Sequence, residues 1–251
     1  MPAMNTRSRI IAGAVGVVAV VAIAALVGPR FGVVRFSSGS IIPSVSFAKL
    51  INHMPSLERP VNFPADFSAE AHTLWNNQVA KDTSALKKDP TDVATWLNLA
   101  IMYRMVGDYD GAVEIWKYIS ANYPKEAVSL HNLGEYYFHT AKDYARAEEY
   151  YRASITIAPQ FAINYTDLYE MYRYVYTAKA SAASEALKEG IAHVSAPEAI
   201  DLAVTLAGYY RDIGDIADAR TYFMQARAGA KAAHNAGLIY QIDQQLTALP
   251  K

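Results

Sequence analysis

Trp96-Leu97-Asn98-Leu99-Ala100-Ile101-Met102-Tyr103 has a near copy 34 residues later, Leu130-His131-Asn132-Leu133-Gly134-Glu135-Tyr136-Tyr137. Weaker copies follow as Tyr165, Leu168, Tyr169, Tyr172 and as Ala203, Leu206, Ala207, Tyr210. Behind each lies a second pair: Ala112 and Trp116, Ala147 and Tyr151, Ala183 and Leu187, Ala219 and Phe223. Prolines close the units at Pro90, Pro124 and Pro159, and a mid-unit turn recurs as Gly107-Asp108, Lys142-Asp143 and Gly214-Asp215. Within a unit the apolar positions fall at i, i+3, i+4 and i+7, one face of a helix. Two such helices cannot bury their faces alone, so the units must stack. The small residue at the eighth position (Ala100, Gly134, Ala207) admits the paired helix closely, and the following aromatic fills the space between units. Most of the 18 tyrosines are thereby packing residues. Tyr150-Tyr151 and Tyr209-Tyr210 are each expected to turn one ring inward and leave the other near the surface.

These residues resemble the tetratricopeptide repeat, whose W-x2-L-G-x2-Y, A-x3-F and P signature stands here as Trp96, Leu99, Ala100, Tyr103, Ala112, Trp116 and Pro124. The second unit carries Leu133, Gly134, Tyr137, Ala147, Tyr151 and Pro159; the fourth carries Leu206, Ala207, Tyr210, Gly214, Ala219 and Phe223. The third departs, with bulky Tyr169 at the small position and a longer turn at Tyr176-Thr177-Ala178-Lys179. The resemblance implies an all-α, right-handed α-solenoid of about four helix-turn-helix repeats, near 93–126, 127–161, 162–199 and 200–232. Helices at 67–90 and 233–251 would cap the stack, since its open ends need polar backs. Ser68 can cap the first of them.

The resemblance also implies a peptide-binding concave face and no enzymatic activity. Carried over position by position, the groove residues are Asn98, Ile101 and Arg104 in the first repeat. The second supplies His131, Asn132, Glu135, Phe138 and His139, and the third Asp167, Glu170, Arg173 and Tyr174. Asp201, Arg211 and Asp212 extend the face into the fourth. An asparagine amide can both donate to and accept from a ligand backbone. Counting these charged side chains, the groove has three arginines against five acids, densest around Glu135, Asp167 and Glu170. The expected ligand is therefore a protein segment carrying Lys or Arg beside an apolar anchor. The family's clamp for chaperone tails is not expected, because Leu97 and Ile101 stand at its lysine and asparagine positions. A rival class is a structural subunit of a cell-envelope assembly that uses the convex face. A third is a metal-binding enzyme centred on His131 and Glu135, which with His139 form an i, i+4, i+8 ladder and would need Asp167 or Glu170 to complete a site.

The run that opens at Ile10 and closes at Val27, IIAGAVGVVAVVAIAALV, holds 18 residues without a charge. At about 1.5 Å per residue it spans roughly 27 Å, near the hydrocarbon thickness of a bilayer. Arg7 and Arg9 precede it and Gly28-Pro29 follow it. It reads as a single transmembrane helix after a short tail (1–9), with the N-terminus cytoplasmic and the repeats outside the cytoplasm; a cleaved signal peptide is the alternative. Residues 28–66, with Pro29, Pro43, Pro55, Pro60 and Pro64, read as a tether.

The formal charge is −1, yet four arginines and no acid lie in the first 35 residues, so the remainder is mildly acidic. That balance argues against a nucleic-acid partner. The absence of cysteine excludes disulfides, thiol catalysis and cysteine-bound zinc. No phosphate loop, dinucleotide fingerprint or nucleophile elbow occurs, and no cofactor is expected.

Overall fold

The structure, a computed structural model, describes residues 53–250; the expected membrane segment and most of the tether lie outside the described residues. Among the described residues no helix is long and apolar enough to cross a membrane, and all the regular structure there is helical. Helix α1 (Ala69–Lys88) begins behind Ser68, whose hydroxyl accepts from the Ala71 amide. Four helix pairs follow: α2 (Val93–Met105) with α3 (Tyr109–Asn122), and α4 (Val128–Glu135) with α5 (Tyr144–Ile157). The third is α6 (Ile163–Tyr174) with α7 (Ala183–His193), and the fourth α8 (Glu198–Asp212) with α9 (Ile216–Ala232). Helix α10 (Ala236–Ala248) ends the stack. It buries Ile242 and leaves Gln241, Gln244 and Gln245 exposed, the polar back that an end helix needs.

The repeat signature acts through a few contacts. Trp96 donates its indole N–H to the Pro90 carbonyl at 2.9 Å, and the Tyr165 hydroxyl donates to the Pro159 carbonyl at 2.8 Å. The aromatic at this position thus latches onto the proline six residues earlier that closed the preceding unit. Each mid-unit turn has one build. A residue with positive φ (Gly107 at 81°, Lys142 at 57°, Gly214 at 84°) precedes an aspartate whose carboxylate caps the next helix. The Asp108, Asp143 and Asp215 amides donate back to Tyr103, Tyr137 and Tyr210. Lys142 alone of the three adopts this left-handed conformation with a side chain. Lys142→Gly is expected to stabilise the fold by about 0.5–1 kcal/mol, read as a higher midpoint in urea at unchanged slope.

The second pair contains one residue more than its neighbours between the tyrosine and the aspartate of this turn. The backbone absorbs it as a π-helical turn over Tyr136–Thr140, with the Ala141 amide donating to Tyr136 at 2.9 Å. In the third pair the longer turn is a 3₁₀ segment, Thr177–Ala182. Bulky Tyr169 is accommodated there, buried, with its ring 6.1 Å from that of Tyr209 in the next pair. Tyr150 and Tyr151 are both buried, against the expectation of one ring near the surface; Tyr150 stacks on Tyr137 with ring centroids 5.3 Å apart.

Residues 53–66 do more than space. Pro55 is buried, and Leu57, Val61, Phe63 and Phe67 pack against the core. Phe63 stacks on His72 at 3.9 Å and meets Trp75 edge-on at 5.0 Å. Arg59 grips Asp108 with two hydrogen bonds, 2.5 and 2.9 Å, over the start of α3. The folded unit therefore starts before the helix that was expected to open it.

Candidate functional site

The first helices of successive pairs are joined side to side by polar contacts. Arg104 on α2 reaches Glu135 on α4 at 2.7 Å, and His131 on α4 reaches Asn164 on α6 at 3.1 Å. Arg173 on α6 reaches Asp212 on α8 at 3.0 Å, and Arg211 on α8 reaches Gln245 on α10 at 2.7 Å. Helices α2, α4, α6, α8 and α10 thus lie side by side along one layer.

The twelve expected groove residues lie at three depths. His139, Glu170 and Tyr174 are exposed; Asn98, Arg104, Glu135 and Arg173 are half-buried. Ile101, His131, Asn132, Phe138 and Asp167 are buried. Asn98 is spent within the chain, donating to Asp82 at 2.5 Å. Phe138 sits on the π-helical turn with its ring 4.0 Å from that of His139, so it packs under the surface. Arg173 lies among three tyrosine rings, 4.8 Å from Tyr209, 5.4 Å from Tyr174 and 5.9 Å from Tyr169.

These contacts redraw the expected charge map. Arg104 neutralises Glu135, and Asp212 takes both Arg173 and Arg211. All three groove arginines are therefore paired. Among the described residues Glu170 makes no ion pair, and Asp167 approaches only His131, at 3.6 Å.

Between the second and third pairs runs a buried chain of hydrogen bonds. Its hydrogen-bond directions follow from one fixed end. The Ala127 carbonyl can only accept, so Ser154 donates to it at 3.0 Å and must accept from the Asn164 amide, 2.9 Å away. The Asn164 carbonyl then faces His131 Nδ1, which must carry the proton, leaving Nε2 with its lone pair in the neutral ring. Burial holds the His131 pKa below its ordinary value, against the pull of Glu135 and Asn164. Burial opposes ionisation of Glu135 too, yet His131 and Arg104 outweigh it and keep that carboxyl below the usual range.

Asp167 goes the other way. Burial, reinforced by Glu135 and Glu170, lifts its pKa well above the ordinary carboxylate value. Its Oδ2, the Asn132 amide nitrogen and the Tyr151 hydroxyl are all buried without a hydrogen-bond partner. Tyr151 is close enough to Asp167 for each to shift the other, but no bond of ordinary geometry joins them. Unpaired buried polar groups are uncommon in native proteins, and two of them, on Asp167 and Tyr151, are neighbours here. Asn164, Ser154 and Tyr151 were not anticipated as site residues. The legible signal was Asn164, a polar residue one position before the first-helix aromatic, where the helix faces the core. The metal alternative lacks its ligands: among the described residues no three His, Cys, Asp or Glu side chains are grouped to hold an ion.

Residues 91–160 match the sequence model of the tetratricopeptide repeat. No curated protein matches the chain. Among solved structures, the crystal structure of MamA is 20% identical with a TM-score of 0.50, the match covering 69% of this chain and 99% of that one. That likeness shows the same helical repeat fold. A thermophilic tetratricopeptide-repeat protein of Thermus thermophilus is 18% identical with a TM-score of 0.45, covering 71% of this chain and 93% of its own. PilF of Pseudomonas aeruginosa is 17% identical with a TM-score of 0.49, covering 70% and 84%.

Proposed function

We propose that the protein is a non-enzymatic, membrane-tethered scaffold whose concave groove holds an extended segment of a protein partner, with a Lys or Arg of that segment docked between the second and third repeats. The observation that carries this reading is Glu170, a free carboxylate side chain beside buried Asp167 and Tyr151, whose polar atoms lack hydrogen-bond partners. A cation arriving there favours the charged form of Asp167 and draws its proton away. Exposed Tyr174 supplies apolar contact beside it at low entropic cost. A fold of this kind fixes neither partner nor pathway, so the reading rests on the site. Partners captured by crosslinking on membranes provide the test. Glu170→Lys is expected to weaken a groove-bound partner about tenfold at low salt, and the difference is expected to shrink as salt rises. Helicity should stay unchanged and melting should not fall, because Glu170 is exposed, makes no ion pair and repels buried Asp167. Equal affinity of parent and variant at low salt excludes the groove as the site.

The membrane anchor is the run from Ile10 to Val27, joined to the repeats by the tether and with the repeats outside the cytoplasm. Full-length protein is expected to stay with the membrane in alkaline carbonate, whereas a 53–251 fragment is released. A mature N-terminus near Ala24 would show a cleaved signal instead.

A further inference from the structure

Four residues occupy the same register position on successive first helices: Ile101, Glu135, Glu170 and Gly208. Ile101 is buried, Glu135 is taken by Arg104, and Glu170 is free. Gly208, the next step along the groove, has no side chain, and a Cβ built there meets nothing nearer than an Arg211 nitrogen at 4.0 Å. The gap opens onto a cleft of about 430 Å³ between α8 and α10, lined by Val204, Phe223, Leu238 and Ile242 together with the polar Gln241 and Gln245. Arg211 borders it but is held by Asp212 and by Gln245. The cleft therefore offers no free cation for an anionic group, and its walls suit a hydrocarbon or aromatic side chain. Its volume is at the small end of the roughly 300–1,000 Å³ typical of ligand sites, enough for one bulky residue.

Neighbouring packed helices lie about 8–10 Å apart. From Glu170 on α6 to the cleft beyond α8 is one and a half such steps, roughly 12–15 Å. An extended peptide advances about 3.3 Å per residue and returns to the same face every second residue. We infer that the partner segment places a bulky apolar residue four positions from its basic residue, with the apolar side chain seated beside Gly208. This rests on the groove reading above and adds to it the spacing and the second anchor.

The test uses the full chain in detergent micelles and fluorescent nonapeptides of glycine and serine containing one Arg and one Phe four positions apart, in both orders. Companion peptides replace Phe by Ala or Arg by Gln. In one order, Phe is expected to raise affinity about tenfold over Ala, the scale of burying one aromatic side chain. Gly208→Leu fills the cleft and should abolish that gain while keeping the Arg-dependent part; Gly208→Ala should reduce it partially. Both variants improve helix propensity at an open position, so melting equal to or above the parent's confirms their folds. Arg-dependent binding that is indifferent to Phe, or a Phe gain that survives Gly208→Leu, overturns the cleft and leaves the groove reading standing. A Phe gain lost in Gly208→Leu but insensitive to Glu170→Lys keeps the cleft and overturns the charge reading. Binding of none of the peptides overturns both.

Discussion

Gly134→Leu is expected to lower stability by about 3 kcal/mol or to prevent folding, the largest effect of any single change considered. Gly134 is the small residue of the second repeat. A Cβ placed there would lie 2.6 Å from two carbons of the Tyr151 ring, well inside contact distance. Tyr151 cannot give way, since it is fully buried and wedged against His131, with ring centroids 5.8 Å apart. Overpacking typically costs about 1–3 kcal/mol, and this site belongs at the top of that range because even the first added atom collides. Gly134→Ala should already be measurable. Gln244→Leu, on the exposed back of α10, should stay within about 0.5 kcal/mol. Urea unfolding of the three variants at matched slopes checks the ranking. Equal midpoints for Gly134→Leu and Gln244→Leu would mean that the second repeat does not pack through this position.

The repeat was legible because its physics is periodic: a small residue where helices touch, an aromatic three or four positions on, a capped turn between. Tyr151 over Gly134 is one instance, and the Trp96 latch on Pro90 is another. What sequence periodicity missed was aperiodic. The strap at 53–66 is held by Arg59 on Asp108 and Phe63 on Trp75, long-range contacts that leave no repeating trace among its prolines. The π-helical turn was visible as arithmetic, because Trp96 and Leu130 are 34 apart while Asp108 and Asp143 are 35 apart. Whether a helix absorbs such an extra residue as a π turn or a loop is decided by the cap at its end, which stays intact here.

For the groove, register gave the side of the helix and not the depth. His131, Asn132 and Asp167 were expected on the open face and are instead buried. Glu135 and Glu170 look alike in sequence and differ in the structure by a single arginine. Arg104 lies within reach of one and not of the other. Only the assembled face tells which carboxylate is left for a ligand.

The same assembled face sets up an exchange of stability for binding, which Asp167→Asn should expose. Asparagine keeps the shape and an acceptor oxygen but removes the buried, incompletely paired charge. At neutral pH the variant is expected to be more stable than the parent by about 1–3 kcal/mol, the desolvation cost of an unsatisfied buried group. The sign with pH follows from the raised pKa. Above the ordinary value of 3.8 the unfolded chain releases the Asp167 proton while the native state retains it. The native state then binds more protons, so the parent loses stability as pH climbs from 3.8 through the raised pKa. The gap between variant and parent should therefore be near zero at about pH 4 and widen as pH rises. His131 contributes the opposite slope. Its pKa is depressed, so both proteins lose stability as pH falls below its ordinary 6.5. The clearest reading of Asp167 therefore comes from the alkaline side of that titration, because His131 stands 3.6 Å from the substituted carboxyl. Binding should move against stability. A cationic ligand needs the Asp167 carboxylate, so parent affinity should rise with pH through its titration, while the variant binds more weakly and with a flatter profile. Melting curves and peptide affinities measured between about pH 4 and 8 read both halves. A variant that melts no higher than the parent at the alkaline end would mean that Asp167 is satisfied in the native state. A variant that is more stable and binds as tightly would mean that the charge strains the fold without serving the groove.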